Sequence, residues 1–114
     1  MTIYDRFVTI HDVIGGSVLG RRLAATGTGF YCARRKVGLT RYYTALQIGD
    51  QTDAMLELPG RVPIRTTQIA VMDAEQYRIL QVQHELDKDG LPVTVLSLSR
   101  LEELYELDVA EESP

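Results

Sequence analysis

The segment from Pro63 to Leu101 leaves this chain the least freedom, because it reads as β-rich runs divided by short acidic turns. Tyr77 to Leu86 faces Leu91 to Leu101 across Asp87-Lys88-Asp89-Gly90. Aspartate and glycine tolerate the left-handed backbone of a tight loop, so Asp89 and Gly90 mark a hairpin. The apolar phase of both arms slips midway. Tyr77 and Ile79 are odd but Leu80 and Val82 even; Val93 and Val95 are odd but Leu96 and Leu98 even. With Leu86 opposite Leu91, the slips fall nearly opposite each other, as they do where a paired ribbon carries a bulge or bends sharply. Sharp bending is how a small sheet closes.

Further β runs precede this hairpin. Arg6 to Val13 is β-branched and reads as a first strand that Gly15 and Gly16 end. Phe30 to Val37 places Phe30 and Cys32 on one side and Tyr31, Ala33 and Arg35 on the other, which suits a half-buried second strand. Ala54, Leu56 and Leu58 alternate with Met55 and Glu57 up to Pro59-Gly60, the period of a third strand, and Thr67 to Met72 is the next run. Three stretches are less regular. Val18, Leu19, Leu23 and Ala24 fit a short amphipathic turn or a ragged strand, and Thr26-Gly27-Thr28-Gly29 reads as a loop, so a mobile connection is expected over 17–29. Leu39, Tyr42, Tyr43 and Leu46 recur at helical steps before Gly49-Asp50-Gln51. Leu101, Leu104 and Tyr105, with Ser99 as a cap, are compatible with a helix that frays toward Asp108. The expected fold is mainly β: a small antiparallel barrel with a long loop or short helical turn around residues 38–53 and a short or frayed C-terminal segment. At 114 residues one core is the natural size, giving a single domain over 1–101 and an acidic tail over 102–114.

The chemistry-bearing residues are sparse. Cys32 is the single cysteine, which rules out an intrachain disulfide and fits a reducing compartment. Its neighbours place it on the buried side of a strand, where cysteine acts as a small hydrophobe rather than a nucleophile. His11 and His84 lie inside strand runs without further ligands at metal-site spacing, so they read as packed or surface imidazoles. Thr26-Gly27-Thr28-Gly29 lacks the Gly-Lys-Ser/Thr of a phosphate cradle. Asp87 with Asp89, and Glu102 with Glu103, flank a turn or sit in the tail, where no raised carboxyl pKa is expected. No catalytic residue, cofactor or metal follows from these residues. The N-terminus lacks the basic start and apolar stretch of an export signal, and no apolar run reaches membrane-spanning length, so no membrane role is expected.

The net charge of −4 conceals an asymmetry. Residues 1–65 carry nine bases against five acids, and residues 66–114 three bases against eleven. A solvated acidic tail accounts for Glu102 to Glu112. If the two portions also lie on different faces, identical subunits can meet basic side to acidic side and close into a ring. Arg34-Arg35-Lys36, with Arg41-Tyr42-Tyr43 behind, is also the best patch for nucleic acid, since cations meet phosphates while tyrosine stacks on bases. A pI near 5.1 argues against that use, and neighbours in a strand point to opposite sides. A solvated rim or subunit contact is the favoured reading, with a small nucleic-acid-binding barrel as the alternative.

In order along the chain come an N-terminal strand, Phe30-Tyr31-Cys32-Ala33, Tyr42-Tyr43-Thr44-Ala45, Pro63-Ile64-Arg65-Thr66-Thr67-Gln68-Ile69, and Tyr77-Arg78-Ile79-Leu80-Gln81-Val82. This series resembles the head-tail joining, or head closure, connector proteins of tailed bacteriophages from about Tyr4 to Leu101. It departs from them at Tyr31, where tryptophan is frequent, and at Ala74, where glycine is common. The resemblance implies a β-barrel subunit without catalytic residues, made in the host bacterial cytoplasm and built into the virion as a ring of identical copies. Such a ring docks on the portal or its adaptor, receives tail proteins, and meets DNA only as cargo passing through its channel. It further implies that Leu39 to Leu58, tethered by Gly38, Gly49 and Pro59, is an extended loop that reorganises on assembly. Arg34, Arg35, Lys36 and Arg41 would be the basic side of subunit contacts. Tyr42 and Tyr43 are interface residues or minor core anchors, and Tyr77, Ile79 and Val82 belong to the core.

Overall fold

The computed structural model describes residues 3–17, 20–24, 27–36, 52–101 and 104–107. Nine strands run through them: β1 (Arg6–His11), β2 (Val13–Ser17), β3 (Gly20–Leu23), β4 (Thr28–Arg35), β5 (Ala54–Pro59), β6 (Ile69–Met72), β7 (Glu75–Leu86), β8 (Pro92–Arg100) and β9 (Glu106–Leu107). β1, β4, β5, β8, β7 and β6 close in that order into an antiparallel barrel, and β2, β3 and β9 form a separate three-stranded sheet.

The long β7–β8 hairpin carries the slip that its apolar phase implies. Ile79 pairs with Leu98, but the next pair is Gln81 with Ser97, leaving Leu80 as the extra residue of a bulge. The bulge lets Tyr77 and Ile79 below it and Val82 above it all turn toward the same core. At the tip, the Asp87 carboxylate accepts the Asp89 and Leu91 amides at 2.9 Å each. Gly90, at φ 80°, supplies the left-handed step; Asp89 does not share it. β8 pairs with β5 and β7, and Val93 through Leu98 are all buried, Leu96 and Leu98 in the main core and Val93 and Val95 in a second cluster with Met55. β5 behaves likewise. Met55 and Glu57 are buried along it as well as Ala54, Leu56 and Leu58. Leu56, Leu58, Ile79, Leu96 and Leu98 meet Val8 and Cys32 inside the barrel, and each such leucine contributes about 2–3 kcal/mol by leaving water.

Several sequence expectations are corrected. The first strand does not run to Val13: the chain breaks at Asp12 and enters the second sheet, where Gly15 and Gly16 lie within β2 at a register shift instead of ending a strand. The 17–29 stretch holds β3 and the start of β4. Gly27 and Gly29 are sites of close approach rather than loop formers. A Cβ on Gly27 would come within 2.7 Å of the His11 ring, and one on Gly29 would run into Phe7. His11 is a buried imidazole whose Nδ1–H donates to Ala24 O at 2.7 Å, and the Ala24 amide donates to Asp12 O at 2.9 Å. Together these bonds fasten the β2–β3 hairpin at its root. Thr66 and Thr67 form a turn before β6, closed by the Gln68 amide donating to Arg65 O at 3.1 Å and by Gln68 Oε1 accepting the Arg65 amide at 2.9 Å. The helical turn expected at Leu39 to Leu46 lies outside the described residues. Ala54 to Leu58 form barrel strand and are no part of a loop. The C-terminal segment is not helical at its end, since Glu106–Leu107 pairs in parallel with β3.

β6 and β7 are joined by Asp73 and Ala74 alone, with Met72 paired to Glu75. Both turn residues have positive φ, 54° and 64°, which gives the hairpin its proper twist. Aspartate tolerates this region; alanine pays about 1 kcal/mol for it. Ala74→Gly is therefore expected to raise stability by about 0.5–1 kcal/mol in urea unfolding, and a lowered midpoint would contradict the strain.

Candidate functional site

The barrel interior is filled by side chains, so the chemistry open to partners lies on its outer wall and at its ends. Strand alternation sorts the basic run of β4. Arg35 shares the outward side of Tyr31 and Ala33, whereas Arg34 follows Cys32 toward the barrel mouth, where its charge acts on Tyr77. Arg34 and Lys36 are exposed. Arg41, Tyr42 and Tyr43 lie outside the described residues, so the six expected interface residues are not seen as one cluster.

Arg35 is already engaged within its own chain. Its Nε lies 3.6 Å from Glu57 Oε1 and its Nη1 3.5 Å from Glu85 Oε1. Glu57 is a buried carboxylate, 6% exposed, and its second oxygen accepts a 2.8 Å hydrogen bond from the Tyr4 hydroxyl. Burial first, then the bond to Glu57 and the negative charges of Glu57 and Asp87, push the Tyr4 hydroxyl up to about 12. This cluster clasps the N-terminal arm to the barrel beside Met55, Val93 and Val95, a small apolar cluster outside the main core. Burial also pushes the Cys32 thiol up to about 11, partly opposed by Arg6, which agrees with its place as a core side chain.

At the mouth, Glu75 accepts from the Tyr77 hydroxyl at 3.0 Å and pairs with Arg100 at 3.5 Å, and the Arg100 amide donates to Asp53 at 2.8 Å. Burial, reinforced by Glu75, raises the Tyr77 pKa. Asp53, Glu75 and Arg100 border an open depression of about 830 Å³ with Gln76, Ser99 and Leu104. Its carboxylates are committed to structural partners. Among the described residues no three His, Cys, Asp or Glu side chains are grouped to hold a metal ion, and no helix is long and apolar enough to cross a membrane.

Two apolar patches face solvent. On the β1–β4 wall, Phe7 and Tyr31 are cross-strand partners whose rings meet edge to face at 5.2 Å and 68°, exposed by 50% and 65%. The bare backbone of Gly29 makes room for the Phe7 ring. On the β7–β8 hairpin tip, Leu86 and Leu91 are 70% and 60% exposed. Around the barrel, β5 separates these strand pairs on one side and β6 on the other. Sequence reasoning did not find the aromatic patch, because Phe7 and Tyr31 become neighbours only through long-range pairing. No protein-family model matches the chain, and no curated protein matches it either.

Arg35→Glu would set a third carboxylate beside Glu57 and Glu85, so it is expected to cost the single subunit about 2 kcal/mol in urea unfolding, discounted for the partial exposure of Arg35. An unchanged midpoint would show that the two ion pairs contribute nothing. Tyr4 has a folded-state pKa raised from 10 to about 12, so the stability it adds is full below pH 10 and falls as the pH rises through that interval. Tyr4→Phe is expected to flatten this alkaline decline, measured as the melting temperature between pH 9 and pH 12; equal slopes would refute the clasp.

Proposed function

We propose that this protein is a structural virion subunit of a tailed bacteriophage, part of the head-tail connector ring that closes the DNA-filled capsid and offers the tail its attachment surface. The observation that carries the reading is the exposed Phe7–Tyr31 pair on the β1–β4 wall, set apart around one closed barrel from the exposed leucines Leu86 and Leu91 of the β7–β8 tip. Unlike patches on one subunit favour heterologous contacts between copies, which make a ring when the rotation closes. Exposed aromatic surface of this kind is typical of interface cores. The ordered resemblance from Tyr4 to Leu101 supplies the phage assignment.

A second geometric feature supports it. β4 and β5 are adjacent antiparallel strands, yet the chain departs at Lys36 and re-enters at Thr52. Lys36 and Thr52 thus lie at the same end of the paired strands β4 and β5, the end this reading turns toward the channel. In this reading one ring face meets the portal or its adaptor, the other meets tail proteins, and DNA passes as cargo. Function then rests on shape and contact, with no catalytic step, cofactor or metal.

Light scattering combined with electron microscopy of the protein, alone and mixed with its portal complex, is expected to show rings in at least the mixed sample. No ring in either sample would remove the proposal. Phe7→Ser and Tyr31→Ser are expected to abolish rings while leaving the unfolding free energy of the single subunit within about 1 kcal/mol of wild type. Steeply salt-dependent DNA binding without rings would instead favour the nucleic-acid-binding barrel.

A further inference from the structure

Each barrel strand has a neighbour on both sides, and closure withdraws the rows of amides and carbonyls through which sheets add strands. The three-stranded sheet is built differently. β3 lies between β2 and β9, and among the described residues β9 is seated on it through two pairs, Arg22 opposite Glu106 and Leu23 opposite Leu107. A parallel pairing that short does not hold a strand by itself.

A side chain supplies the missing hold. Gln76, buried at the start of β7, donates from Nε2 to Tyr105 O and accepts the Tyr105 amide on Oε1, both at 2.8 Å. Its own carbonyl takes the Leu101 amide at 3.0 Å. The carboxamide thus acts as one residue of a strand, and the seat for 104–107 consists of the β3 edge plus Gln76. Three residues separate Leu101 from Tyr105. A separable strand on so short a connection favours exchange between copies, because seat and strand are chemically the same within one copy and between two.

Charge and exposure point the same way. The receiving strand sets Arg22 opposite Glu106 in the pairing register, so strand and seat carry opposite charges whether they belong to one copy or to two. Leu104, next to the clamped Tyr105, leaves 61% of its surface in water, where a neighbouring copy would cover it.

We propose that β9 is an exchangeable strand: residues 104–107 of one copy seat on β3 and Gln76 of the next and link identical subunits head to tail. This rests on the reading of the chain as a self-assembling subunit and names the segment that joins the copies. The test mixes two single variants, Arg22→Cys and mass-tagged Glu106→Cys, and adds a short bis-maleimide; Cys32, fully buried, stays silent. The expected result is a shift to a covalent heterodimer in the assembled mixture. Assembly by light scattering without heterodimer, while Arg22→Cys/Glu106→Cys cross-links within single chains, would overturn the exchange and leave the connector reading intact. Monomers throughout, alone and on the portal complex, would overturn both. Tyr105→Pro, which removes the amide that Gln76 accepts, is expected to abolish the assembled species while the barrel still melts cooperatively; undiminished assembly would overturn the role of the clamp.

Discussion

The bulge at Leu80 is the constraint on which the rest of the structure depends. Without an extra residue in β7, the inward side of Tyr77 and Ile79 would continue as the side of Gln81 and Gln83, and the upper half of the hairpin would turn polar groups to the core. With it, Val82 takes the inward place, packing against the same cluster as Ile79, and the added twist bends the ribbon far enough for β6 to reach β1. Closure then buries the inward side of β8, where Leu96 and Leu98 join the main core, while Val93 and Val95 pack with Met55 in a second apolar cluster.

Side chains acting as backbone hold the pieces that strands do not. The buried Thr94 hydroxyl donates to Gly60 O at 2.8 Å and accepts the Val62 amide at 2.9 Å, seating the 60–64 segment so that Val62 and Ile64 join the core. Asp87 does the same for the hairpin tip, His11 for the root of the β2–β3 hairpin and Gln76 for the chain end. Each satisfies groups that irregular backbone would otherwise leave unpaired at a cost of about 1–3 kcal/mol. Irregular segments are thereby fixed without adding to the sheet.

These devices mark where the sequence was legible and where it was not. The bulge could be read because a parity slip is local: it needs only the order Tyr77, Ile79, Leu80, Val82. The burial of Met55 and Glu57 could not, since their cover comes from elements distant in sequence and Glu57 looks like a solvent-facing residue until Tyr4 and Arg35 are placed against it. Gly15, Gly16, Gly27 and Gly29 were misread for the same reason. Glycine signals a turn by default, but in β2 the pair sits at a bulge, and beneath His11 and Phe7 glycine is where a ring needs bare backbone. The C-terminal strand was hidden because its partner β3 is distant in sequence and its entry is held at Tyr105 by the Gln76 carboxamide rather than by an apolar run.

The same contrast between local pattern and distant pairing relocates the basic side of the molecule. The run Arg34-Arg35-Lys36 looks like one surface, yet the strand divides it and Arg35 is consumed by Glu57 and Glu85 of its own chain. A guanidinium held by two carboxylates has little attraction left for a third. The charge asymmetry of the two halves of the chain is thus partly neutralised inside the fold, and the basic charge left over comes from arginines placed elsewhere. β3 is such a place: it stands outside the barrel, carries Arg21 and Arg22, and receives the start of the acidic tail along its edge. A barrel that closes on itself gains its stability from within, and can leave association to an appended sheet whose pairing is weak enough to be made and remade.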